Sequence, residues 1–172
     1  MNNTNLLVFL RLLFITTSQI LIFNNVLFFG VNPNIYLIFL IIFPLNYNKS
    51  LMYLYMFFTG LILDLFSNSY GIITFSLLIS SLLRIYFLKF SFGHFDASKV
   101  RKTADYIKET SLYQKLTFLV LIYLTHQFLL FSIEAFSIEK FNWIIKKTLL
   151  STIISIILSY IFILIFFKKN AR

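Results

Sequence analysis

Gly60-Leu61-Ile62-Leu63-Asp64-Leu65-Phe66-Ser67-Asn68-Ser69-Tyr70-Gly71 places one carboxylate inside a long apolar run and then turns the chain sharply back into another. An acid at the centre of a bilayer costs about 2.5–3.5 kcal/mol on insertion scales, and less near the interface, so it needs a partner or a task. The turn after it is so short that the helices on either side must be antiparallel neighbours. Gly60, one helical turn before Asp64, leaves a flat spot for close approach of another helix.

Working outward, the 172 residues are 59% hydrophobic and 20% aromatic but only 12% charged, with mean hydropathy +0.87. A soluble domain carries about twice that charge. The apolar runs approach the roughly 20 residues that cross a hydrocarbon core. The fold class is therefore an all-α integral membrane protein, a single polytopic domain over 1–172. Spans are expected at 6–29, 35–45, 51–66, 71–88, 116–133 and 144–167. The second is too short for a relaxed crossing, about 16 Å of helix. It is either a short span or a re-entrant half-helix shielded by its neighbours, which makes the bundle six helices, our preference, or five.

The net charge of +9 does not point to nucleic acid. The basic residues gather at the ends of apolar runs and in one loop, 89–115, as the positive-inside rule expects. That loop holds six basic residues against Asp96, Asp105 and Glu109, and its periodicity suggests an amphipathic helix lying on the membrane surface. With six spans, the loop and both termini face the cytoplasm. Lys99, Arg101, Lys102 and Lys108 then form a candidate docking surface for a cytoplasmic partner or anionic lipid.

Other polar groups have packing readings. Ser76, Ser80 and Arg84 recur every four residues, a helix-packing face ending in an arginine that snorkels to the interface. Arg84 lies about 18 Å by helix rise from Asp64, too far to pair with it. Gln19 and His126 lie near mid-membrane and are expected to hydrogen-bond between their helices. Thr148, Thr152, Ser155 and Ser159 form a small-residue stripe suited to close packing. Asp64 itself is expected either to serve the fold or to dock a partner.

Several enzyme classes lack their chemistry here. Cysteine is absent, and the two histidines, His94 and His126, are too few for a multi-histidine zinc site. An intramembrane aspartyl peptidase needs two carboxylates sharing one site, and the candidates, Asp64 and Glu134, lack that family's sequence context. The clustered aspartates that hold a metal on phosphate are missing as well. The expectation is a non-enzymatic protein with no cofactor and no metal.

Asn32-Pro33-Asn34 followed by a short apolar segment, then Gly60 to Ser67 with Asp64 at its centre, then Gly71 opening the next span, resembles the rod shape-determining protein family MreD. The matching core covers 32–83, and the remainder agrees in hydropathy and charge. Many relatives carry a basic residue before the proline, where this chain has Asn32. The resemblance implies a subunit of the bacterial elongation machinery in the cytoplasmic membrane. Its implied partners are the bitopic protein MreC, the actin-like filament protein MreB, RodA and a class B penicillin-binding protein. It also implies a helical fold similar to the substrate-binding subunits of energy-coupling-factor vitamin transporters. Asn32, Pro33, Asn34, Gly60, Asp64 and Gly71 become the candidate partner-binding or structural residues. A vitamin-type binding subunit of a transporter is the alternative, and it requires a polar, aromatic-lined cavity open to the outside.

Overall fold

The structure, a computed structural model, describes residues 3–45, 48–93 and 111–166. The expected surface helix and Lys99, Arg101, Lys102 and Lys108 lie outside the described residues. Five helices are long and apolar enough to cross a bilayer, as a multi-pass membrane bundle requires. They are α1 (Asn3–Leu21), α3 (Lys49–Ser67), α4 (Ile72–Phe92), α5 (Leu112–Ala135) and α6 (Phe141–Phe166), with a six-residue α2 (Leu37–Ile42) between the first two.

The buried residues of α3 and of α6 each fall on one helical stripe. On α3 the buried positions are Met52, Met56, Thr59, Gly60, Leu63 and Asp64, spaced by three, four or one as a single helical stripe. On α6 the pattern is turned inside out relative to a soluble helix. Thr148, Ser151, Thr152, Ser155 and Ser159 are buried, while Leu149, Ile153, Ile157 and Ile161 are exposed. Small residues inside and large apolar ones outside is the signature of a helix that packs closely on its neighbours and faces lipid. Side-chain chemistry sets several ends. Asn48 accepts from the Ser50 N–H at the start of α3, and Ser111 and Gln114 form a reciprocal capping box on α5.

Successive helices from α3 onward pack as antiparallel neighbours, with α4 the most enclosed. One end of the bundle carries the α3–α4 and α5–α6 turns and is called here the turn end. Asn48, Gly93 and Ser111 mark the opposite end.

The segment expected as a second span departs from helical form. Phe28 and Val31 exchange two backbone hydrogen bonds, of 2.9 and 3.1 Å, across a turn with positive φ at Phe29 and Gly30. The turn is therefore centred two residues before Asn32-Pro33-Asn34, which run on into the bundle. Only Leu37–Ile42 is then helical, about 9 Å of rise, so it is no spanning helix. Yet the chain does travel from end to end. Asn32 bonds the Asn24 carbonyl at the turn end, Phe43 lies beside Arg84 and Met52, and Asn48 caps α3 at the far end. Residues 31–45 thus thread the bundle as a broken length of chain. Its centre, Ile35 to Ile41, is buried. Irregular backbone at such depth is tolerated because protein, not lipid, surrounds it.

Candidate functional site

The α3–α4 turn holds the first part of the site. Asn68 ends α3 in the left-handed region, and both its N–H and that of Ser69 donate to the Asp64 carbonyl. Gly71, at φ 91°, opens α4 without a side-chain cap. The Asp64 carboxylate supplies that cap from the preceding helix. Its Oδ1 accepts from Ile73 N at 3.0 Å and from the Ser69 hydroxyl at 2.5 Å. Its Oδ2 accepts from Thr74 N at 2.9 Å and from the Thr74 hydroxyl. These are the free amides at a helix N-terminus, where the macrodipole also favours negative charge.

Gly60 makes this reach possible. A Cβ on it would lie 2.5 Å from the Thr74 Cα, so only glycine lets α4 come this close. The approaching helix is therefore the chain's own α4. Asp64 is buried, with both carboxylate oxygens engaged within the chain.

The second part is a polar framework around the threaded segment. Gln19 is its hub. Its Oε1 accepts from Ile35 N at 2.8 Å, and its Nε2 donates to the Pro33 carbonyl at 3.1 Å and to Asn24 Oδ1 at 2.9 Å. Asn24 in turn donates to the Ser67 hydroxyl at 3.0 Å, tying α1 to α3. Asn34 donates its backbone N–H to the Ser155 hydroxyl oxygen at 2.9 Å and its Nδ2 to Gln127 Oε1 at 2.9 Å. Tyr36 meets His126 Nε2 at 3.2 Å, and Tyr123 pairs with Ser159.

Gln19 and His126 therefore do not bond each other. Each meets a different part of the threaded segment, whose broken backbone offers more unsatisfied groups than a helix would. Arg84 is also reassigned. It is buried, not snorkelling, and donates to the Phe43 carbonyl at 2.6 Å, just past the end of α2. The carbonyl-rich C-terminal end of a helix is where a cation is favoured.

Between these two parts, at the turn end, lies a pocket of about 430 Å³. Its walls are the 30–32 backbone, the ends of α3 and α5, and the start of α4. Asn24, Asn32, Asn34, Tyr36, Ser67 and Ser69 contribute polar atoms, and Leu63, Phe66, Leu130 and Phe131 the apolar surface. Glu134 and Lys147 also line it. The volume falls in the range that takes small ligands. Sequence reading missed this pocket, because its lining comes from six separate stretches. The only local hint was the density of Asn and Ser between 24 and 34 and between 67 and 69.

The turn end has one more feature. Phe29, Tyr70 and Phe136 all have positive φ, of 51°, 51° and 39°, and are 88%, 96% and 89% exposed. Each sits at the tip of a different connection: the 28–31 turn, the α3–α4 turn and the α5–α6 turn. Bulky residues in this region are uncommon, and the conformation costs roughly 1–2 kcal/mol per residue. Protein-family models, curated proteins and solved structures give no match to this chain.

Proposed function

We propose that this chain is a membrane scaffold of the MreD type, a non-enzymatic subunit that holds the elongation machinery of a rod-shaped bacterium together in its cytoplasmic membrane. Its six passages are the five long helices and the threaded segment, in a bundle related to vitamin-transporter subunits, with the turn end outward. The observation that carries the reading is the set of three exposed aromatic rings lifted at one end by strained backbone. Strain of this kind persists where the surrounding structure enforces it, and it gathers at working surfaces. Asn32, Asn34, Gly60, Asp64 and Gly71 serve this surface from within, as braces of the loops that carry the rings. The basic loop 89–115 is its cytoplasmic counterpart, directed at an MreB-like filament, while the outer surface meets an MreC-like protein and the RodA synthase pair.

The test is affinity purification in mild detergent from a rod-shaped host, comparing the native chain with a Phe29→Gly/Tyr70→Gly/Phe136→Gly variant. The native chain should recover an MreC-like protein, and the variant should lose it and give rounded cells. Full partner recovery and rod shape with all three rings removed would sink the docking role. A second reading, a small-molecule-binding transporter subunit, is favoured by the pocket at the same end. Co-purification of a transporter module in the same experiment would select it.

A further inference from the structure

Two opposite charges, Glu134 and Lys147, line the pocket without forming an ion pair. Lys147 donates to the Gly30 carbonyl at 2.5 Å and lies 5.5 Å from the centre of the Trp143 ring. An ammonium has three donors, so two remain. Glu134, exposed near the end of α5, makes no ion pair with Lys147 and no hydrogen bond among the described residues. We infer that the pocket binds a zwitterion, a molecule carrying a protonated primary amine and an anionic oxygen group a few bonds apart. The amine would meet Glu134 and the anionic group Lys147, while the Asn32 and Asn34 amides face the polar body. Charge-assisted bonds of this kind are about twice as strong as neutral ones, and two of opposite sense exclude ligands of a single sign. Two sources supply this chemistry: the ethanolamine phosphate headgroup of an aminophospholipid, and a free amino acid or short peptide.

The inference rests on the second reading for its choice of cavity and adds the ligand's class, while a scaffold that binds such a molecule would satisfy it equally. The purified full chain in detergent is titrated with phosphatidylethanolamine, phosphatidylglycerol and the dipeptide alanyl-alanine, and binding is followed by native mass spectrometry and by the unfolding midpoint. Phosphatidylethanolamine or the dipeptide should bind, and which of them does identifies the source. Glu134→Gln and Lys147→Met should each weaken binding about tenfold or more, with Lys147→Arg restoring it and Glu139→Gln, outside the pocket lining, leaving it unchanged. Phosphatidylglycerol bound as well as phosphatidylethanolamine, or Glu134→Gln without effect, overturns the zwitterion while leaving a ligand-binding pocket in place. No binding by any probe overturns both.

Discussion

Asp64 and Gly60 act as one device through Thr74. The carboxylate caps α4 only because the missing side chain at position 60 lets Thr74 come within its reach. Asp64→Asn leaves one acceptor oxygen and turns an NH2 group toward donors, and removing one partner from a buried bond costs about 1–3 kcal/mol. Gly60→Ala drives a methyl into the Thr74 backbone, and overpacking of this kind costs about 1–3 kcal/mol. Because both changes pull the same amides off the same carboxylate, the double variant should lose less than the two single losses added together. Thermal unfolding of the four proteins in one detergent checks this, and strict additivity would separate the two residues. The three aromatic tips predict the opposite sign. Replacing Phe29, Tyr70 or Phe136 by glycine removes left-handed strain and should raise the unfolding midpoint, even as partner recovery falls.

At the scale of elements, the threaded segment is the part most dependent on side chains. A helix satisfies its own backbone, but residues 33–35 do not, so the side chains of Gln19 and Ser155 supply the missing partners. Gln19→Leu should therefore cost more than an average interhelical bond between side chains, which is about 0.6 kcal/mol. It strands the Ile35 N–H and the Pro33 carbonyl together, so about 1–3 kcal/mol is expected. Hydrogen exchange should localise the damage, with Ile35 and Tyr36 losing protection before the amides of α4 and α5. Uniform loss across the bundle would contradict the hub role. Part of this element was legible early. Residues 35–45 were visibly too short to span as a helix, and Pro33 with two asparagines signalled a break. Spans at 6–29 and 35–45 leave the turn to 30–34, but it closes at 28–31, with Phe29, a residue poorly suited to positive φ, in a left-handed position.

For the whole molecule, the threading decides the path of the chain. Residue 48 lies at the opposite end from residue 31, so positions 70 and 136 share one end and position 113 lies at the other. The chain has no native cysteine, so single-cysteine variants report cleanly. Tyr70→Cys and Phe136→Cys should react together with an impermeant maleimide from the outside of intact cells, and Tyr113→Cys only after permeabilisation. Labelling of 70 and 113 from the same side would break the topology.

Composition and the spacing of small and large residues were enough to establish a helical membrane bundle, its long helices and the packing stripes on α4 and α6. Those properties depend on neighbours within a turn or two, where a sequence is explicit. The partners of Asp64, Gln19, Arg84 and His126 were not legible, and neither was the pocket. Each depends on which groups from distant stretches are left unsatisfied when the chain closes up. Arg84 illustrates the point. Its position near a helix end suggested the lipid surface, but the broken segment beside it brings the Phe43 carbonyl within 2.6 Å of the guanidinium. Asp64 shows the same for the opening motif. Sequence alone required that a buried acid have a partner, and only the tertiary approach of α4 across Gly60 supplied the amides that serve as one.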